Sequence, residues 1–242
     1  MKLLNEAIDA QSNPSSGIKR YGKADFDKWL CDYDCLVEIP SYMGKEFFHA
    51  YAENPDVKFI LTERNPEKWV KSINNSAAVV YKMSSSFPMN ILKYFDPTLF
   101  QFARLNVLVY KAVSGGTEPG DPDNEAELIK YYNDYIKMAK EVIPADRLHL
   151  ITLENGVDWK DICPFLGVPI PDEPYPIPND PAIFKKLTDE FLKPKIIAAI
   201  MRLSAVVIPV LGVIAWASLQ YGPSLLASTK EIIAGLLARL RS

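Results

Sequence analysis

The stretch "VKFILTERNPEKWVKS", residues 57–72, decides how the chain is read. Residues 57–63 form a short run of aromatic and β-branched side chains bounded by Pro55-Asp56 and Asn65-Pro66, which predicts a strand by length and flanks. Pro66 sits where a helix opens, because the first helical turn has no use for the amide hydrogen that proline lacks. The segment therefore reads strand, turn, helix. Arg64 lies just past the strand and Ser72 eight residues later, two turns into the helix. A guanidinium offers a planar fork of donors suited to phosphate, and a hydroxyl adds one directed donor. The same residues also read as a solvated cation in an ion pair of the first helical turn, so on chemistry alone both readings stay open.

The pattern repeats on either side. "CLVEI" (35–39), stopped by Pro40, reads as a buried strand, and "RLHLITL" (147–153) as another. Helical spacing marks 25–34 through Phe26, Trp29, Leu30 and Tyr33, and 42–53 through Phe47, Phe48 and Tyr51. A helix is expected from Pro66 to about Ser85, another over roughly 89–113, and a third over about 124–142 after the loop "SGGTEPGDPDN" (114–124). "DWKDICPFLG" (158–167) reads as a short helix capped by Asp158 and Gly167. The N-terminal "MKLLNEAIDAQSNPSS" reads as one amphipathic helix ended by Asn13-Pro14. Asn5, Glu6 and Asp9 interrupt the apolar run a signal peptide would need. Strands separated by helices predict an α/β fold, a parallel sheet flanked by helices, with ligands beyond the carboxyl ends of the strands. Three strands are few for such a sheet.

The bulk composition narrows the function classes. With 242 residues and 48% hydrophobic content, the chain can build a core, and a net charge of −3 gives no footprint for nucleic acid. Three cysteines without a C-x-x-C pair fit neither a disulfide framework nor a zinc site. Cys31 and Cys35, four apart, read as small core residues.

The C-terminal part is different material. "LSAVVIPVLGVIAWASLQY" (203–221) is nineteen residues without a charge, enough to cross about 30 Å of hydrocarbon as a helix. Arg202 bounds it on one side, and Trp216 and Tyr221 lie toward the other, where aromatic anchors are favoured. The other reading is a core helix kinked at Pro209. The expected organisation is an α/β domain over 1–181, a linker and basic juxtamembrane helix over 182–202, a transmembrane helix over 203–221, and an amphipathic tail over 222–242. Lys185, Lys186, Lys193, Lys195 and Arg202 outnumber the cations after the span, which places the large domain in the cytosol.

Gly17, Gly22 and Lys23 have the G-x-x-x-x-G-K spacing of a phosphate loop, but Ala24 replaces the Ser or Thr and no strand precedes it. Such a loop works only between a strand and a helix whose amides converge on phosphate, so an ATP- or GTP-hydrolysing reading is set aside. His49 and His149 are isolated and read as structural.

At Arg64 and Ser72 the sequence resembles the 3′-phosphate-binding segment of sulfotransferases, specifically their fungal and protist branch. The blocks "DFDKWLCDYDCLVEIP", "NPDVKFILTERNPEKWVKS", "DRLHLITLENGVDWKDICPFLGVPIPDEPYP" and the ensuing "ND" have counterparts in that order, from about residue 20 to 181. The resemblance implies a P-loop-type α/β fold and the donor 3′-phosphoadenosine 5′-phosphosulfate (PAPS), with no metal. Arg64 and Ser72 would hold the 3′-phosphate of PAPS or of adenosine 3′,5′-bisphosphate. Glu38 stands where the branch carries an acidic residue before Pro and is the candidate base. A carboxylate there serves equally as a cap or ion-pair partner. Tyr132 stands in place of a family histidine. The family's first strand and its G-x-x-R-T-G-T-x-S-L loop have no counterpart, and Gly17–Lys23 falls in a variable region after them. Two functions follow as expectations. One is a membrane-anchored sulfotransferase-like protein acting on a hydroxyl or amine of a small or lipid-like acceptor, inactive without that loop. The other is a non-catalytic anchored relative that binds a nucleotide or a protein partner.

Overall fold

The computed structural model describes residues 1–176 and 181–239, with backbone alone at 181–185, 187 and 222–239. Helix α1 (Lys2–Ser12) ends at Asn13, whose side chain starts the next turn by accepting the Ser15 N–H. It is no loose terminus: Ala7 and Ile8 are buried, Asp9 pairs with Arg104 at 2.8 Å, and Asn5 donates to Gln101. Helix α2 (Lys23–Leu30) and helix α3 (Gly44–Ala52) bury Phe26, Leu30 and Phe47 against α1, while Phe48 on α3 is buried against Leu61, Ala139 and Ile143.

Strand β1 (Phe59–Glu63) leads into α4 (Pro66–Asn75), and Asn65 caps that helix by accepting the Lys68 N–H at 3.0 Å. The single helix expected from Pro66 to Ser85 is two, α4 and α5 (Ala77–Ser85), broken at Ser76. Asn74, Asn75 and Ser76 compete with the helix for backbone partners, and the Ser76 hydroxyl donates back to the Ser72 carbonyl. Next come the short α6 (Met89–Leu92), a 3₁₀ turn (Lys93–Phe95) and α7 (Pro97–Val113), the last capped by Asp96 on the N–H groups of Thr98 and Leu99. Helix α8 (Asn124–Val142) leads to β2 (Leu148–Thr152), and α9 (Trp159–Leu166) has Asp158 and Gly167 (φ 76°) as its caps. Arg147, at the foot of β2, donates to the Ala52 and Asn54 carbonyls at the end of α3.

Strands β1 and β2 pair in parallel, in the register Phe59↔Leu148 to Glu63↔Thr152. The α/β reading therefore holds, with a smaller sheet than expected. Among the described residues there is no third strand. "CLVEI" is a surface loop, with Val37 74% exposed and Glu38 at φ 64° and ψ −42°, turning into a 3₁₀ turn at Ile39–Tyr42. Neither sheet strand offers it a partner, and an unpaired apolar run has nothing to hold it extended. Cys31, at the end of α2, and Cys35, on that loop, are exposed, not core residues, whereas Cys163 is buried.

Helix α10 (Pro181–Arg239) is continuous through Pro194 and Pro209, so the expected juxtamembrane and apolar segments belong to one helix. Its first part packs Leu192 and Ala199 on Met89, Leu92, Leu99 and Ala103. Thr188–Tyr221 is long and apolar enough to cross a membrane, and 6% of its most apolar window is buried. The amphipathic tail expected over 222–242 is helical to Arg239, and its side chains lie outside the described residues.

Candidate functional site

Parallel pairing places the ends of β1 and β2 side by side, so the residues just after them meet. After β1 comes Arg64; after β2 comes Glu154, in a 3₁₀ turn at Leu153–Asn155. Glu154 Oε1 accepts the Asn65 N–H at 3.0 Å and lies 3.7 Å from Lys68 Nζ. The Asn65 N–H bond, followed by the charges of Lys68 and Arg64, holds the Glu154 carboxyl below its usual range. The start of α4 thus already stabilises one negative charge, as an exposed helix N-terminus does.

Arg64 itself is held from behind. The Tyr132 hydroxyl, on α8, accepts the Arg64 N–H at 2.8 Å and donates to the Arg64 carbonyl at 2.8 Å. Trp69, one turn into α4, lies against Tyr132 with ring centroids 5.2 Å apart and stacks on Tyr131. Arg64 Nε is buried and has no hydrogen-bond partner among the described residues. A buried unpaired donor on a cation is unfavourable unless an acceptor completes it. This is the observation that fits an anion. Ser72 lies on the exposed side of α4, and its carbonyl accepts from Ser76.

Glu38 is not grouped with them by any hydrogen bond or ion pair among the described residues. It stands beside a different feature, a cleft of about 780 Å³ between the end of α1, the Ile39–Tyr42 turn, α7 and α8. Tyr42, Tyr131 and Tyr135 line it, with Lys111, Lys130 and Asp134 at its polar walls. Burial, then the charge of Glu38, then Tyr135, push the Tyr42 phenol up to about 12. Burial likewise raises Tyr131 and Tyr135. All three phenols stay protonated at neutral pH, and Tyr42 and Tyr135 keep their protons for hydrogen bonds into the cleft. Tyr131 donates to the Ser41 carbonyl, tying the turn after Glu38 to the helix that clamps Arg64.

Sequence reasoning missed Tyr132 as a clamp and Glu154 as the facing carboxylate. The signals were the tyrosines of "YYNDY" (131–135) at helical spacing and a carboxylate directly after the second strand. The Gly17–Lys23 spacing is accidental in structure too. Gly17 ends a 3₁₀ turn, Gly22 starts α2, and Lys23 pairs with Asp27 at 2.5 Å. His149 stacks on Phe165 with centroids 5.0 Å apart. Among the described residues no group of three or more His, Cys, Asp or Glu is placed to hold a metal ion.

Comparison with known proteins agrees with the sulfotransferase resemblance. Ava biosynthesis cluster protein M of Aspergillus versicolor is 27% identical over 180 residues, covering 73% of this chain and 65% of that protein. The chain thus matches a little under two thirds of that relative's length. A family model described as a sulfotransferase domain matches residues 1–184, so α1 belongs to the matched unit along with the sequence blocks between residues 20 and 181. On that extent of match, the chain belongs to the sulfotransferase domain family.

Proposed function

We propose that the chain is a membrane-anchored sulfotransferase-like protein whose anion site, Arg64 with Ser72, takes the 3′-phosphate of PAPS or of adenosine 3′,5′-bisphosphate. The observation that carries the reading is the buried, unpartnered Nε of Arg64, at the turn where β1 ends and α4 begins. Sulfotransferases generally use PAPS, which when bound supplies the sulfuryl group. The residues of this chain do the rest. Tyr132 fixes the Arg64 backbone, and Arg64 and Ser72 orient the nucleotide. Glu38, beside the tyrosine-lined cleft, is the base for the acceptor's hydroxyl or amine proton. The acceptor is a small or lipid-like molecule, and the Tyr42 and Tyr135 phenols of the cleft are its donors. Residues 203–221 anchor the protein in a membrane, with the domain of residues 1–181 on the cytosolic side.

A second reading is a non-catalytic relative that binds a nucleotide or a partner. It is favoured by Glu154, whose carboxylate already engages the first amide of the turn an incoming phosphate would use. Titration calorimetry of the full chain in detergent micelles with adenosine 3′,5′-bisphosphate tests the site. Binding is expected, and Arg64→Ala should weaken it roughly ten- to a hundredfold, the worth of hydrogen bonds to a charged group. Equal affinity in wild type and Arg64→Ala would remove the assignment.

A further inference from the structure

Where α10 leaves the domain, the structure carries a feature unrelated to the strand ends. Helix α7 runs antiparallel to α10. Phe102 lies against Phe191 with ring centroids 6.3 Å apart, and at the other end Arg202 donates to Asp96 at 2.9 Å and to the Phe95 carbonyl at 2.7 Å. The 3₁₀ turn Lys93–Phe95 is therefore level with Arg202, the last charged residue before the uncharged run. Beyond Leu203 the helix leaves its packing, and Val206, Ile208, Val210 and Leu211 are exposed. If the run is in a bilayer, its boundary falls within about one helical turn, roughly 5 Å, of Arg202, and the polar interfacial layer is several ångströms deep on each side.

At that level Tyr94 projects, 69% exposed, with Lys93 Nζ 5.4 Å from its ring and Phe100 6.0 Å away. Lys93, Tyr94, Phe100 and Arg202 line a hollow of about 480 Å³. Asp96 is occupied by Arg202, and no carboxylate among the described residues pairs with Lys93, so the lip has a net positive charge. A phenol with an apolar body and a wet tip, beside cations on long stems, suits the headgroup layer of a bilayer.

We infer that the Lys93–Tyr94 lip and Arg202 form a phospholipid-headgroup contact, which lays the domain against the same bilayer that takes residues 203–221. Tyr94 sits in the interfacial layer, and Lys93 and Arg202 face lipid phosphates. The partner is the bilayer itself, as the lip is continuous with the only described helix apolar and exposed enough to enter one. The inference rests on the membrane reading of α10.

The test is site-directed spin labelling of the full chain reconstituted in phosphatidylcholine vesicles, with and without a minority of phosphatidylserine. Cys31→Ser and Cys35→Ser remove the exposed thiols, Cys163 is buried, and labels are placed through Tyr94→Cys, Leu211→Cys and Glu141→Cys. Collision with a water-soluble relaxant and with oxygen reads depth. The label at 211 is expected at hydrocarbon depth, that at 94 in the headgroup layer, and that at 141, on exposed α8 surface, in water. Lys93→Glu should shift the label at 94 toward water in vesicles containing phosphatidylserine. A label at 94 as wet as that at 141, with 211 in hydrocarbon, overturns the contact and leaves the span standing. A wet label at 211 overturns both. No shift from Lys93→Glu overturns the role of the charge.

Discussion

Tyr132→Phe removes one oxygen atom, and the geometry says what that oxygen does. It accepts the Arg64 N–H and donates to the Arg64 carbonyl, each at 2.8 Å, while Tyr132 itself is only 8% exposed. The ring would keep its packing against Trp69, so the variant isolates the two hydrogen bonds. Leaving a buried backbone donor or acceptor unpaired costs about 1–3 kcal/mol each. Arg64 is half-buried, so water can reach part of the turn, and a total of about 2 kcal/mol is the reasonable sum. In a domain of this size that lowers the thermal midpoint by about 4–8 °C. Affinity for adenosine 3′,5′-bisphosphate should fall as well, by less than in Arg64→Ala, because the guanidinium remains and only its placement loosens. Thermal unfolding by near-ultraviolet circular dichroism and titration calorimetry, both on the full chain in micelles, measure the two effects. An unchanged midpoint together with unchanged affinity would mean that the hydroxyl does not hold the turn, and the account of Arg64 as a preorganised donor would fall with it.

Glu154→Gln removes the carboxylate charge facing Arg64 and Lys68, so adenosine 3′,5′-bisphosphate should bind more tightly by calorimetry; weaker binding would make Glu154 a supporting residue instead of a competitor. Lys23→Ala should leave nucleotide affinity unchanged, because Lys23 is paired with Asp27 on α2 and no strand precedes the glycines. Burial works against ionisation of Asp96, but the N–H groups of Leu99 and Thr98 and the Arg202 guanidinium outweigh it and hold the carboxyl below its usual value of 3.8. Its stabilising contribution is therefore complete above that value and is lost as the pH falls through the lower folded-state value. Asp96→Asn keeps the cap acceptor and removes the charge, so its denaturation midpoint should fall less steeply than wild type below about pH 4.

What could be read in advance follows from how local each determinant is. Arg64, Pro66 and Ser72 could be placed because a strand flanked by turn residues and a proline at a helix start are written in consecutive residues. The same holds for Asp158 and Gly167, whose capping needs no distant partner. "CLVEI" failed for the opposite reason. A short apolar run is compatible with a strand only if another strand lies beside it, and here it pairs with neither β1 nor β2. Cys31 and Cys35 are exposed because α2 ends at Leu30, so no helix spans both and turns them to one buried face. Tyr132 is the strongest case. Its partner is 68 residues away, and nothing about a tyrosine on a helix announces that its hydroxyl will close on the backbone of an arginine in another element. Glu154 was reachable by logic that stopped one step short. If two parallel strands end together, the residues after both must be weighed as one site, and here those residues carry opposite charges. An arginine at a strand end suggests an anion; an arginine facing a carboxylate across two strand ends implies competition for it. The nucleotide must therefore be tested against Glu154 and not against empty solvent.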